Sequence, residues 1–275
     1  MLASFLLSLR EGLEAALIIG IVLAALRKMN RTELGAAAWR GVLAAVLLSL
    51  LAGLALKAMG AALEGKAEEM FEGIAMLSAA ALLTWMIFWM RRQAATFQKD
   101  LETDVKRLSA RGGSQWGLFW LSFLAVGREG FELVLFLTAV QMTAGAVQTF
   151  LGAALGLASA ILIGWVFFTS SKRMSLRQFF TVTNLLLILF AAGLAAHGIH
   201  EFNEAGIVPP IIEHVWDINP ILNEKQPLGM LLTALFGYNA NPSLTEVITY
   251  TSYLLVVGLL WRGVRKPIPL TQQAA

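Results

Sequence analysis

The stretch Ala3–Leu26, ASFLLSLREGLEAALIIGIVLAAL, decides the fold. It is long enough to cross a bilayer as a helix, which takes about 20 mostly apolar residues. Yet its interior holds Arg10-Glu11-Gly12-Leu13-Glu14. An Asp, Lys or Arg at the centre of such a helix costs roughly 2.5–3.5 kcal/mol on insertion scales, and charges placed there rarely persist without a function. The same cluster returns, in the same order and spacing, as Arg128-Glu129-Gly130-Phe131-Glu132 inside a second apolar run. A structural ion pair would need one Arg and one Glu. Each cluster has one Arg and two Glu, and the surplus negative charge asks for a cation.

The rest of the chain reads the same way. Of its 275 residues 57% are hydrophobic and only 14% charged, against about 25% charged in soluble domains. The chain is therefore expected to be an all-α polytopic membrane protein. It has no cysteine, which excludes disulfides, thiolate metal ligands, iron–sulfur clusters and Cys nucleophiles. Met1–Leu9 lacks a basic leader and a small-residue cleavage site, so it reads as the first half of a mature membrane helix rather than a secretory signal.

Seven segments are long and apolar enough to span: Ala3–Leu26, Gly41–Gly60, Phe71–Met90, Gly117–Thr138, Val147–Phe168, Phe179–Ile199 and Leu244–Trp261. Lys and Arg orient them by the positive-inside rule. Arg27, Lys28, Arg31 and Arg40 fill the first connection, Arg91, Arg92, Lys99, Lys106, Arg107 and Arg111 the third, and Lys172, Arg173 and Arg177 the fifth. Arg262, Arg265 and Lys266 follow the last span, whereas the opposite side has only Lys57, Lys66 and Lys225 among many acidic residues. The reading is seven helices with the N-terminus outside and the C-terminus in the cytosol. The net charge of +3 is then an orientation signal, and no nucleic-acid partner is implied.

Helix one runs inward and helix four outward, so the two pentapeptides lie on helices of opposite direction at similar depth. That is the signature of inverted-topology repeats, whose binding sites sit near the midplane at the repeat interface. The chain divides into one membrane domain: a first repeat over about 1–92, a cytosolic linker over about 93–115, a second repeat over about 116–200, an external loop over about 201–241, and a seventh helix over about 243–262. All seven prolines fall after the sixth span. In the external loop, Leu228–Phe236 is apolar but too short to span and reads as interfacial or re-entrant. Ser243 and Glu246 fit a capping box that starts the seventh helix, and Asp100–Ala110 reads as a short surface helix ending at Gly112-Gly113.

Helical spacing puts Arg10, Glu11 and Glu14 on one broad face, and likewise Arg128, Glu129 and Glu132. Gly12 and Gly130 remove bulk beside that face and permit close helix approach. Packing helices one and four together would gather four carboxylates and two guanidinium groups in one small cavity, with a net charge of minus two if all are ionised. Hard oxygen ligands in that number suit a hard, multiply charged cation.

These residues resemble the iron permease family of the yeast high-affinity iron permease and the bacterial ferrous-iron-utilisation permease, whose hallmark is an Arg-Glu-Gly-x-Glu motif in helices one and four of seven. The resemblance covers essentially the whole chain. It extends to Glu72-Gly73, to Trp85-Met86 with Phe88-Trp89-Met90-Arg91, and to Ala191-Ala192-Gly193-Leu194-Ala195 followed by Glu204-Ala205-Gly206. It implies Fe(III) as cargo rather than as a permanently bound cofactor, and Glu11, Glu14, Glu129 and Glu132 as the metal-binding carboxylates supported by Arg10 and Arg128. It also implies a separate extracytoplasmic ferroxidase or peroxidase, or an iron-binding partner protein, and a multi-pass location in the plasma or bacterial inner membrane. Other heavy-metal cations, Pb(II), Fe(II) or Mn(II), remain alternatives.

Secondary positions have two readings each. Glu68, Glu69 and Glu72 could collect cations at the outer mouth of helix three or simply favour a solvated helix N-terminus. His197, His200, Glu201 and Glu204 follow helix six on the same side, with His200 and Glu204 as candidates for metal recruitment; His214 and Asp217 are weaker ones. Trp85, Met86, Trp89 and Met90 could form a thioether cluster but read rather as interface belt and packing, and Gln141, Met142 and Thr143 read as candidates to line an outer exit. An intramembrane enzyme using paired carboxylates and a mere scaffold for an oxidoreductase are the competing classes. Mid-helix placement of the charges argues against both, and no phosphate-binding Gly-rich Lys loop suggests an ATPase.

Overall fold

The computed structural model describes residues 1–93, 97–110, 115–169, 176–224 and 226–263. Arg111, Gly112, Gly113, Lys172, Arg173, Lys225, Arg265, Lys266, Pro267 and Pro269, all used in the sequence reading, lie outside them. The described residues form helices, turns and loops with no strand among them. In chain order these are α1 (Leu2–Lys28), a 3-10 turn (Thr32–Leu34), α2 (Gly35–Ala61), α3 (Lys66–Gln93), α4 (Phe97–Ala110) and α5 (Gln115–Ala144). Then come α6 (Ala146–Thr169), α7 (Leu176–Glu204), α8 (Pro227–Phe236) and α9 (Leu244–Gly263). By length and composition alone, α2 with its preceding turn, α3, α6, α7 and α9 can each cross a membrane. The other two long helices, α1 with 27 residues and α5 with 30, are the ones that carry the charged pentapeptides.

Two seams of small residues organise the packing. Along the first, Gly152, Gly156, Ala160 and Gly164 of α6 meet Ser4, Ser8, Gly12 and Ala16 of α1 in the same order, so these helices run parallel. Along the second, Gly41, Ala45, Ser49 and Gly53 of α2 meet Phe119, Gly127, Gly130 and Val134 of α5, again in parallel. The contacts are backbone-close: a side chain on Gly156 would collide with the Phe5 carbonyl, and one on Gly41 with the Phe119 carbonyl. Small residues at four-residue spacing are how membrane helices associate without a hydrophobic driving force between them. Gly12 and Gly130 permit close helix approach as expected, and the helices they admit are α6 and α2.

Exchanging α1, α2 and α3 with α5, α6 and α7 turns the first seam into the second. The pairs α1–α5 and α3–α7 map onto themselves. Gly145, at φ +80°, is the one residue between α5 and α6. It folds α6 back on α5, so α1, parallel to α6, runs against α5.

The third unit is α3, α7 and α9. Leu83, Met86 and Ile87 of α3 interdigitate with Leu187, Ala191 and Leu194 of α7 and Val257 of α9, and the Thr84 and Tyr253 hydroxyls lie 2.6 Å apart across the α3–α9 contact. The helix expected over 100–110 is not merely a surface element. Its Leu101 and Val105 are buried among Leu26, Leu34 and Leu118, so it docks under α1 and α5 through an apolar stripe. The outward faces of α2, α6 and α9 instead expose Leu47, Leu51, Leu54, Phe150, Ile161, Trp165, Leu255 and Leu259, the surface that lipid covers.

The apolar piece after α7 folds back against that helix. Proline at its first position starts α8, and Gly237, at φ +64°, ends it with its backbone against Gly193, mid-way along α7. Neither glycine could carry a side chain there. The chain then climbs back to α9, whose start is the capping box expected: Ser243 N donates to Glu246 Oε1 at 3.0 Å and Glu246 N to Ser243 Oγ at 3.3 Å.

Candidate metal site between the motif helices

Both pentapeptides lie where α1 and α5 pack together, with α3 closing one side. Arg10 is fully buried; Glu11, Glu14, Glu129 and Glu132 are all buried as well. Within α1, Arg10 Nη1 donates to Glu11 Oε1 at 2.8 Å and Nη2 lies 3.1 Å from Glu14 Oε1. Within α5, Arg128 Nε donates to Glu132 Oε1 at 2.8 Å and stands 4.0 Å from Glu129 Oε1. Each arginine therefore braces its own pair of carboxylates, as the one-face spacing requires.

The two clusters meet. Glu11, Glu14 and Glu129 each place a carboxylate oxygen within 4.8 Å of the others, and no other trio of His, Asp or Glu among the described residues is this close. Glu132 stands beside the trio, tied to Arg128. The gathering of all four in one cavity is thus realised as three plus one.

What marks the cluster is how little satisfies it. Glu11 Oε2, Glu129 Oε2 and Glu132 Oε2 are buried with no hydrogen-bond partner, as are Arg10 Nε and Arg128 Nη2. Buried polar atoms are almost always paired, because an unmet group costs about 1–3 kcal/mol and more when charged. The protein can do better where nothing needs to be left open. Glu246, equally buried, accepts from Ser243 N and Ser243 Oγ on Oε1, meets His200 Nδ1 there at 3.0 Å, and accepts from Asn239 Nδ2 on Oε2 at 2.7 Å. Glu11, Glu129 and Glu132 thus each keep one bare oxygen facing like charge, and oxygen donors are what hard cations bind.

The α3 segment over 85–90 packs as expected, with Met86 in the apolar core and Met90 against it, and it also covers both arginines. Met86 is fully buried with its sulfur 3.1 Å from Arg10 Nη1, and the Met90 sulfur lies 3.3 Å from Arg10 Nη2. The Arg128 guanidinium lies 4.1 Å from the ring centroid of Trp89 and 5.6 Å from that of Trp85. Their i,i+4 spacing was legible; the arginines they face were not.

The outer candidates divide. Glu72 lies within electrostatic reach of Glu68 and Glu204, and Glu201 within reach of Glu69, Glu72 and Glu204, so an acidic group does form where α3 and α7 end together. His200 has both ring nitrogens engaged, Nδ1 on Glu246 and Nε2 3.3 Å from Glu204 Oε1. It bridges α7 to α9, and its closeness to Glu204 is the one the i,i+4 spacing expects. His197 Nδ1 lies 3.0 Å from the Gly193 carbonyl and shares a small cavity with Thr143 and Thr233. Asp217 accepts from Asn219 N within its own loop, and His214 is exposed.

A helical bundle with a lipid-covered surface and a buried, under-satisfied carboxylate cluster defines a multi-pass membrane protein with a candidate cation site. Residues 1–264 match the family model described as the iron permease FTR1 family, and the chain belongs to that family. It is 38% identical over 256 residues to the ferrous iron permease EfeU of Escherichia coli O6:K15:H31 (strain 536 / UPEC), covering 93% of each chain. It is 36% identical over 262 residues to the ferrous iron permease EfeU of Yersinia pestis, covering 95% of this chain and 93% of that one. No solved structure matches it.

Proposed function

We propose that this chain is a permease that carries iron into the cytosol, binding it between α1 and α5 on Glu11, Glu14, Glu129 and Glu132. The observation that carries the reading is the set of buried, unpartnered carboxylate oxygens at the contact of the two motif helices. A multiply charged cation would supply the missing partners and offset the surplus negative charge, while Arg10 and Arg128 keep the empty site tolerable. Iron is cargo here, not a resident cofactor.

Seven helices, α1, α2, α3, α5, α6, α7 and α9, cross the membrane in this reading, with the N-terminus outside. The exchange symmetry of the two seams supports inverted repeats, and with them a path that opens alternately to either side. The carboxylates of the set favour Fe(III). The relatives are named for ferrous iron, which makes Fe(II) the second reading. Supply of Fe(III) would fall to a separate extracytoplasmic ferroxidase, peroxidase or iron-binding protein, and the acidic group of Glu68, Glu69, Glu72 and Glu204 would raise the local cation concentration. Enzymatic turnover plays no part in it.

The test is ion flux into proteoliposomes, comparing Fe(III), Fe(II), Mn(II) and Pb(II), with Glu14→Ala and Glu132→Ala alongside. Loss of iron flux in both variants is expected. Wild-type flux in either would remove the carboxylates from the mechanism.

A further inference from the structure

We propose that Met86 and Met90 are specificity-determining residues of the cation path, adding two thioether ligands to the carboxylate set so that softer divalent ions are carried alongside hard ones. This rests on the carboxylate reading above and deepens it. The Arg10 guanidinium is sandwiched between two kinds of acceptor. Its Nη1 meets Glu11 Oε1 on one side and the Met86 sulfur on the other, and its Nη2 meets Glu14 Oε1 and the Met90 sulfur in the same way. Met86 and Met90 are one turn apart on α3, so both sulfurs face the site together.

Packing alone does not require sulfur at these positions. Leu83 and Ile87 fill the same buried face of α3 with aliphatic side chains. Hydrogen bonding does not require it either, since a thioether is a weak acceptor and a poor partner for a buried guanidinium. Arg10 Nε is left with no partner at all. A carbonyl or carboxylate would hold Arg10 far more firmly. What sulfur offers is affinity for softer metals, together with a grip on Arg10 weak enough to release.

A cation captured among the carboxylates repels the guanidinium at close range. If Arg10 swings aside, the position it leaves is bordered by carboxylate oxygens of Glu11 and Glu14 and by both sulfurs. Glu129, with a carboxylate oxygen within 4.8 Å of those of Glu11 and Glu14, extends this to a mixed oxygen–sulfur set. Such a set suits Pb(II) and Fe(II) better than Mn(II), whereas the carboxylates alone favour the harder ions.

Pb(II) and Mn(II) share a charge and avoid iron's redox change, so their influx into proteoliposomes, measured separately, reads the effect. Met86→Leu, Met90→Leu and the double variant conserve volume and packing. The Pb(II)-to-Mn(II) influx ratio is expected to fall by about tenfold in the double variant, the low end of what a metal site loses with a supporting group, with Mn(II) influx retained. An unchanged ratio overturns the proposal and leaves the methionines as packing. Loss of both ions in all three variants, with the protein still monodisperse, also overturns it and makes them positioning residues for Arg10. Glu14→Gln in the same assay tests the underlying reading separately: wild-type Mn(II) influx there would sink the carboxylate site whatever the methionines do.

Discussion

The Arg128 guanidinium lies over the Trp89 indole, 4.1 Å from the ring centroid, while its Nε donates to Glu132. An arginine half on an aromatic face and half on a carboxylate keeps its charge inside the bundle without closing the carboxylates around it. With Arg128 half-buried, a cation–π contact of this kind contributes about 1 kcal/mol. Trp89→Leu is therefore expected to cut iron flux in proteoliposomes by about fivefold, and Trp89→Phe by less. Equal flux in the two variants would mean that the ring face does not hold Arg128.

Arg10 gives a sharper test of charge balance. Removing one partner of a buried ion pair costs about 3–5 kcal/mol, because the other charge is left unpaired. Arg10→Met should lower the thermal melting temperature markedly. Adding Glu11→Gln to it should recover part of the loss, since one stranded carboxylate is neutralised. A double variant no more stable than the single one would show that Arg10 does not serve Glu11.

The small-residue seams carry their own control. Gly156 of α6 has the Phe5 carbonyl, Leu9 N and Ser8 against it, whereas Gly258 of α9 has nothing within 4 Å. Gly156→Leu should abolish the monodisperse peak in size-exclusion chromatography, because overpacking of even a methylene or two costs about 1–3 kcal/mol. Gly258→Leu should leave the peak intact.

At the start of α9, Ser243→Ala removes an N-cap, which costs about 1 kcal/mol. The melting temperature should drop by a few degrees with iron flux unchanged, because Ser243 touches Glu246 and Asn203 but none of the motif residues. Lost flux would instead tie the α7–α9 contact to transport.

The motif carboxylates and their arginines were legible because helical spacing and a charge surplus can be read from one line of sequence. The long helices followed from hydropathy, and the capping box at Ser243 from its own residues. What stayed hidden was lateral. Nothing in the spacing of Met86 and Met90 says that a guanidinium occupies the neighbouring space. Small residues at Gly152, Gly156 and Gly164 announce a close contact but not its partner, which turned out to be α1, far away in sequence. His200 shows the same split: Glu204, one turn away on α7, was legible, whereas Glu246 had to be brought to it by the fold.

The crossed seams also bear on how the chain is made. Because α1 zips along α6 and α2 along α5, each half of the protein holds the other half's lengthwise partner. Helix α1 thus brings two carboxylates and a guanidinium into the membrane well before α6 is synthesised. Until α5 follows, Arg10 can neutralise only the acids of its own turn, and α1 must wait longer still for its lengthwise mate, encoded past the middle of the chain. Neither half, expressed by itself, would own a complete seam.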